Sequence, residues 1–451
     1  MKDISRRDFI KKAGAGALVL GAAAACKPGS KKKGGKDVEV SEGMPLRTNP
    51  NTGDKVSLLG YGCMRWPMIK DESGNEVIDQ EKVDEMVDYA IAHGVNYFDS
   101  APVYLQGQSE AATAKALGSH PRNSYFIATK LSNHRGSEPS FEEGVAMYKR
   151  SLGFYNTDYI DYYLLHSISG EAVFNQRFVQ NGLIDFLVKE RAEGRIRNLG
   201  FSFHGPQSGL DELLALHDTY HWDFVQIQMN YVDWTHPGAG GYSAKYAYEQ
   251  LVSRGIPVVI MEPLLGGRLS DVPLPVAEQF KEREPSRSIA SWAFRFVGTM
   301  PGVLTALSGM TYLEHLQDNC STFEHFKPLN EEELAFLEEM AGLISDYPLV
   351  PCTGCQYCMP CPYGIDIPGI FKHYNGCIND GYIAQSAEQK DFKKLKKAYL
   401  KSYDKAIESV RQADHCISCG ACAPRCPQGI RIPRELRRID NYVESLKQEK
   451  F

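Results

Sequence analysis

Short apolar runs alternate with amphipathic stretches along most of the chain. The runs at residues 56–62, 95–99, 125–129, 159–165, 196–202, 224–229, 257–261 and 303–308 are rich in β-branched and aromatic side chains and predict strands. Between them, stretches such as EKVDEMVDYAIAHG (81–94) and FLVKERAEGRI (186–196) place apolar residues at helical spacing. Eight strands alternating with helices predict a (β/α)8 TIM barrel over residues 45–328, in preference to an open doubly wound sheet. No G-x-G-x-x-G follows a strand: after Gly60-Tyr61-Gly62, Arg65 stands where the third glycine belongs. The helical pattern NEEELAFLEEMAGLISDY (330–347) predicts a connector within residues 329–350, and residues 351–451 differ in character.

At 451 residues, 43% of them hydrophobic and 24% charged, the chain can bury sizeable cores and holds two folded units. A formal charge of -6 with interleaved signs leaves no footprint for nucleic acid. The N-terminus, SRRDFIKKAGAGALVLGAAAAC, places Arg6 and Arg7 before Phe9 and a short apolar stretch. It resembles a twin-arginine export signal over residues 1–26, with a lipoprotein-type site at Cys26 where Ala23 replaces the usual larger aliphatic residue. The apolar stretch is too short to span a membrane. Residues 27–44 form a Lys/Gly-rich linker. The expected location is periplasmic or membrane-anchored, and the competing reading is a disordered leader on a cytoplasmic protein.

Chemistry in such barrels sits where strands end at their carboxyl side. Those positions hold Asp99, Lys130, His166, Ser202 and Gln226, with Tyr104 in the loop after Asp99. A lone polar residue at a strand end is more often structural. Three successive strands ending in Asp, Lys and His beside a Tyr point to hydride transfer to a carbonyl, for which the protein supplies a proton and stabilises the developing oxyanion. A phenol with a pKa of about 10 is a poor acid. Lys130 is expected to favour its ionised form, Asp99 to hold the ammonium, and His166 to orient the carbonyl or relay a proton.

The motifs FDSAPVY (98–104), ATK (128–130), LLH (164–166), GFS (200–202), VQIQMN (225–230) and SGMTYLEHLQDN (308–319) resemble those of the aldo/keto reductase family. The resemblance covers roughly residues 45–326. It implies a catalytic tetrad of Asp99, Tyr104, Lys130 and His166, and NADP(H) or NAD(H) as cofactor. It places Ser202 and Gln226 on the nicotinamide carboxamide, Ser308, Gly309 and Met310 near the adenosine phosphates, and Asn319 near adenine. Gly62, Met64, Met261, Pro263 and Leu264 complete the implied cofactor contacts. Three departures stand out. Phe203 replaces the Asn common after the serine, Met261 replaces a stacking Tyr, and the Ser308 loop lacks the Lys or Arg that selects a 2'-phosphate.

Eight of the twelve cysteines fall in two arrays. CTGCQYCMPCPYGIDIP contributes Cys352, Cys355, Cys358 and Cys361, and CISCGACAPRCPQGIRIP contributes Cys416, Cys419, Cys422 and Cys426. Thiolate runs this dense, each ending in Cys-Pro, suit iron-sulfur clusters. Zinc is the competing reading, but a ribbon needs only two C-x2-C pairs and has no use for a third evenly spaced cysteine. The repeat CPYGIDIP and CPQGIRIP points to two pseudo-symmetric halves holding two [4Fe-4S] clusters. By resemblance to two-cluster ferredoxins, the fourth cysteine of each run serves the other cluster. The implied sets are Cys352, Cys355, Cys358 with Cys426, and Cys416, Cys419, Cys422 with Cys361. The helix-favouring stretch 386–412 between the arrays implies an α-helical ferredoxin-type domain.

Together these features predict an exported oxidoreductase acting on a carbonyl or alcohol, with a nicotinamide coupled to two clusters and a separate electron-transfer partner. Two alternatives remain: a carbonyl reductase with structural clusters, and a non-catalytic electron-transfer or binding subunit. The loops 131–140 and 236–246 are expected to line the mouth and suit a sugar, a quinone or a small carbonyl about equally.

Overall fold

The computed structural model describes residues 43–133, 140–236 and 241–451; Arg6, Arg7, Cys26 and parts of both mouth loops lie outside the described residues. Eight parallel strands close into a barrel: β1 (Leu59–Gly62), β2 (Tyr97–Asp99), β3 (Phe126–Leu131), β4 (Ile160–Ile168), β5 (Ile196–Phe203), β6 (Phe224–Gln228), β7 (Val258–Met261) and β8 (Val303–Ser308). Their order around the barrel is their order in the chain, and β8 pairs back onto β1 with Ala306 opposite Leu59. Right-handed strand-helix-strand units require that sequence of neighbours.

Successive side chains alternate between the barrel interior and the surrounding helices. Along β4, Tyr162 and Leu164 join the inner cluster with Tyr97, Ala128, Phe224 and Val259, while Tyr163 and Leu165 pack outward. The first predicted strand is split. Lys55–Ser57 pairs with Leu46–Thr48 in an antiparallel ribbon, and only Leu59–Gly62 enters the barrel. The ribbon places Val56 in the inner cluster, and the Asn49 amide after it donates to Tyr162 Oη at 3.1 Å and Asn198 Oδ1 at 3.0 Å. It plugs the end of the barrel opposite the chemistry.

The helix Glu331–Asp346 opens on a capping box between Asn330 and Glu333. It packs Leu337, Met340, Ala341 and Ile344 on the barrel's outer core, so it belongs to the barrel's shell. Beyond it, helices Ile367–Asn379, Phe392–Ala406 and Ile432–Gln448 surround a second core containing Phe371, Tyr399, Leu436 and Ile439. The helix predicted across 386–412 forms only over Phe392–Ala406. Before it, the Gln389 side chain holds a turn by accepting from Gln385 N–H, and after it Ile407 turns extended to bury its side chain. Among the described residues no helix is long and apolar enough to cross a membrane.

Within this second core, His373 stacks edge-on against Tyr399, and burial lowers its pKa from 6.5 to about 4. The unfolded chain therefore takes up a proton near pH 6.5 that the folded domain refuses until about pH 4. The His373 contribution is complete above the unfolded value and is lost as pH falls through this window. The urea midpoint of the C-terminal transition is expected to drop between pH 6.5 and 4, and His373→Gln should flatten that slope. An unchanged slope in the variant would assign the pH dependence elsewhere.

Candidate active site and cysteine cages

The ends of β2, β3 and β4 bring Asp99, Lys130 and His166 to one mouth of the barrel, where Tyr104 joins them. Lys130 Nζ donates to Asp99 Oδ1 at 2.5 Å and to the Ser100 carbonyl at 2.8 Å, and lies 5.1 Å from the Tyr104 ring centroid. The Tyr104 and His166 rings meet edge to face at 5.7 Å. Asp99 Oδ2 is buried with no hydrogen-bond partner, and burial raises the Asp99 pKa against the pull of Lys130.

Burial likewise pushes the Tyr104 phenol well above its ordinary value, and Tyr357, Asp99, Cys63 and Cys355 add to the rise. The net direction is opposite to the one expected from sequence. The ammonium faces the flat of the ring and is paired with the Asp99 carboxylate, so desolvation wins.

Local strain aims these groups. Pairing of β4 with β5 slips between Leu165 and Ile168, and Ser167 there has φ 56°. Such a bulge re-aims a side chain, here His166. Leu105 (φ 48°) and Gln106 (φ 57°) follow Tyr104, and Glu262 (φ 56°) follows Met261, in the same left-handed region. Outliers of this kind persist where surrounding structure holds them. The restraints on His166 are local. Ser132 Oγ lies 2.6 Å from Nδ1, and Arg177 donates to the His166 carbonyl at 2.7 Å and the Ser167 carbonyl at 2.8 Å. Arg177 sits in a single π-turn, Asn175–Val179, a distortion frequent at functional sites. In sequence, Ser132 reads only as part of a mouth loop, and Arg177 carries no signal.

On the other side of His166 stands a residue of the C-terminal domain. The Tyr357 hydroxyl, between Cys355 and Cys358, lies 3.4 Å from His166 Nε2. The two arrays share one backbone design: Gly354 (φ 65°) and Gln356 (φ 63°) in the first match Ser418 (φ 59°) and Gly420 (φ 80°) in the second. Gly364 (φ 75°) and Gly429 (φ 62°) match after them. Repeated left-handed residues curl the chain so that its N–H groups face inward on an anion. Gly354 N–H donates to Cys352 Sγ at 3.5 Å.

Two cavities follow. Cys352, Cys355, Cys358 and Cys426 line one together with Phe371, Ile430 and Ile432, and Cys361, Cys416, Cys419 and Cys422 line the other. Each cage thus takes three cysteines from one array and the fourth from the other. Among the described residues no three His, Cys, Asp or Glu side chains converge as one metal ion would require. A tetrahedral zinc with bonds of about 2.3 Å would hold its sulfurs only about 3.8 Å apart. Cages with apolar walls and four thiols each fit a four-iron cluster. Burial raises the Cys355 and Cys358 thiols to about 12, and a bound cationic centre would offset that desolvation.

Residues 58–341 match the family model described as the aldo/keto reductase family. The chain belongs to that family. Residues 351–431 match the 4Fe-4S dicluster domain. An uncharacterized oxidoreductase, YqkF, of Bacillus subtilis is 25% identical over 63% of this chain and 92% of its own length. L-galactose dehydrogenase of Arabidopsis thaliana is 23% identical, with 66% and 94% covered. A probable aldo-keto reductase of Glycine max is 28% identical but matches over only 49% of its length. The holo form of aldo-keto reductase AKR11C1 from Bacillus halodurans superposes with a TM-score of 0.53 at 24% identity, covering 66% of this chain and 96% of that one. A Klebsiella pneumoniae aldo-keto reductase in complex with NADPH gives 0.51 at 20%, covering 67% and 96%. These structural likenesses carry the fold.

In this aldo/keto reductase, the residues expected to hold the nicotinamide nucleotide divide into two groups. At the carboxamide end, Gln226 Oε1 is buried without a partner, and Ser202 Oγ accepts from Ser167 N–H at 2.8 Å. Phe203, at the end of β5, is buried against Tyr242. Those groups could hold an amide. The phosphate end is different. Gly62 packs against Ser308 and Gly309, Asn319 Nδ2 donates to Ser308 Oγ at 3.1 Å, and the Met310 carbonyl accepts from Tyr61 Oη. Met64 and Met261 are half-buried and Pro263 is buried. Arg65, one residue past Met64, lies over Gly309 and donates to the Thr353 carbonyl at 2.5 Å. Glu262 and Leu264 lead into the turn Leu265–Gly267, whose Gly266 touches Thr353. The Glu262 carboxyl is raised to about 7 by burial and by Asp233, with Thr353, Arg65 and Arg268 opposing. A dinucleotide's diphosphate does not fit a seat so filled and so lined.

Proposed function

We propose that the chain is an oxidoreductase interconverting a small carbonyl compound and its alcohol at the tetrad, with electrons exchanged through two [4Fe-4S] clusters in the cysteine cages. The observation that carries this is the contact of Tyr357, inside the first array, with His166 of the tetrad. Purely structural clusters need no such meeting with the catalytic groups, and a non-catalytic binding subunit needs no buried Lys130–Asp99 pair.

The chain's residues divide the work. The second cage lies at the surface, where Cys419 is exposed and Ile417 is 60% exposed, and serves exchange with an external electron-carrier partner. The first cage lies beside the mouth. [4Fe-4S] clusters supply one-electron transfer at potentials set by charge and hydrogen bonding to sulfur. Tyr104 stays protonated at every physiological pH, because burial holds its pKa high. It is therefore always ready to donate to a carbonyl oxygen as negative charge develops there, since an alkoxide is far more basic than a phenolate. Lys130, fixed by Asp99, holds its ammonium over the ring from which that proton leaves. His166, held by Ser132, orients the carbonyl oxygen.

The export reading accords with this. The Arg6-Arg7 motif marks a route for folded, cofactor-loaded proteins, and a protein delivered by it works where free nicotinamide nucleotide is not expected. To test the functional reading, the clusters are reduced with dithionite under argon and mixed with a panel of aldoses, quinones and small dicarbonyls. At least one compound should reoxidise them, and His166→Gln should slow that step by at least tenfold. Equal rates in both proteins for every compound would remove the reading.

A further inference from the structure

We propose that the first cysteine array occupies the seat of the nicotinamide nucleotide, so that the tetrad faces the cage of Cys352, Cys355, Cys358 and Cys426 instead of a nicotinamide ring. This rests on the functional reading above and decides where that function's electrons come from.

Three contacts trace the array across the mouth. At the β8 and β1 side, the stem of Arg65 lies 2.9 Å from where a Cβ on Gly309 would stand, and its guanidinium grips the Thr353 carbonyl. At the β7 side, the Thr353 Cα is 2.4 Å from where a Cβ on Gly266 would stand, so the array's backbone lies directly on that loop. At the β4 side, Tyr357 reaches His166. Gln428, two residues past Cys426, closes the remaining edge by pairing with Gln228 at 3.0 Å and with Glu262 at 3.4 Å. Residues 352–357 therefore span the space between the Ser308–Met310 loop, the Met261–Leu264 loop and the tetrad. A bound dinucleotide would have to lie in that same space.

Charge leads to the same assignment. Arg65 and Arg268 are cations that border this seat among the described residues. Arg65 is committed to the Thr353 carbonyl. Arg268 faces Asp233, Cys352 and Glu262. A free diphosphate would meet both carboxylates, whereas a cage of four thiolates beside Arg268 gains a counter-charge. Gly309 and Gly266, which in a nucleotide seat let phosphate approach the backbone, here admit an arginine stem and the array itself.

The stoichiometry then constrains the substrate. Reducing a carbonyl to an alcohol takes two electrons and two protons. Two [4Fe-4S] clusters held by the cage cysteines would supply one electron each, with a one-electron carrier protein of the ferredoxin or flavodoxin class as their reductant. The C=O π bond breaks, the oxygen takes its proton from Tyr104, and the carbon takes one from solvent. Electrons arriving singly pass the substrate through a radical. A carbonyl conjugated to a second carbonyl, an alkene or an aromatic ring stabilises that radical, and an isolated ketone does not. The substrate class is accordingly a conjugated carbonyl.

Two measurements on the anaerobically purified, cluster-loaded full chain test this. Nucleotide extraction should release neither NADPH nor NADH, and equilibrium dialysis should show no saturable binding of either up to about 1 mM, the top of the usual KM range. Arg268→Met should move the reduction potential of one cluster negative in an EPR-monitored titration and leave the other in place. Saturable binding of either nucleotide, or two unmoved potentials, overturns the proposal. Neither outcome touches the oxidoreductase reading, which is judged by reoxidation in His166→Gln.

Discussion

Tyr104→Phe is expected to reduce carbonyl-dependent turnover by about 10²- to 10⁴-fold, the range for loss of a positioned general acid. Cluster content and thermal midpoint should stay within error of the unchanged chain. The phenol sits 8% exposed between Lys130 and His166, with its ring rather than its hydroxyl packed on both. Removing one oxygen leaves that packing in place, so the variant isolates proton donation from folding. The measurement is the steady-state rate of reduced methyl viologen oxidation by whichever carbonyl compound reoxidises the clusters. Because the Tyr104 pKa is raised, kcat should show no alkaline fall from this residue up to pH 8. A loss smaller than about tenfold would show that solvent delivers the proton to oxygen, and would take Tyr104 out of the tetrad.

The barrel was legible because its signal is local and repeated. Each strand is a short apolar run, and Asp99, Lys130 and His166 stand at three consecutive strand ends. The cages were legible for the same reason, since cysteine spacing survives in one dimension. What could not be read was everything between the two units. Tyr357 and His166 are 191 residues apart, and nothing in the run CQYC distinguishes a tyrosine that meets a histidine from one in solvent. Arg65 reads in sequence as a failed glycine of a dinucleotide loop, and in the fold it is the clasp on Thr353. The direction of the Tyr104 pKa was also out of reach. Sequence proximity offers Lys130 as a nearby cation but carries no information on how dry the pocket is. The first strand was over-extended because Val56 is as apolar as Leu59, although it belongs to the ribbon that plugs the barrel.

Alanine substitutions of the cage cysteines carry the second large expected effect, and their pairing decides how the clusters are bound. Cys352→Ala and Cys426→Ala should remove the same cluster, although they lie in different arrays, because both line the cavity with Phe371 and Ile432. Cys361→Ala and Cys416→Ala should remove the other. Each single variant should fall from about eight iron atoms to about four. The double variant Cys352→Ala/Cys426→Ala should keep four, whereas Cys352→Ala/Cys361→Ala should keep none. That non-additivity within a cage, against additivity across cages, is the mark of shared ligands. Binding of each array to its own cluster predicts the reverse, with Cys426→Ala matching Cys416→Ala. The functional losses should differ as well. Without the cluster beside Tyr357, the remaining one should still take electrons from viologen at the surface near Cys419 but pass none to a carbonyl. Without the cluster near Cys419, the one beside the tetrad holds one of the two electrons a carbonyl needs, so a single turnover should yield no alcohol, and reduction by a carrier protein should fail. The two cages would then be a sequence with a direction, and the position of Tyr357 fixes which of them stands at the carbonyl.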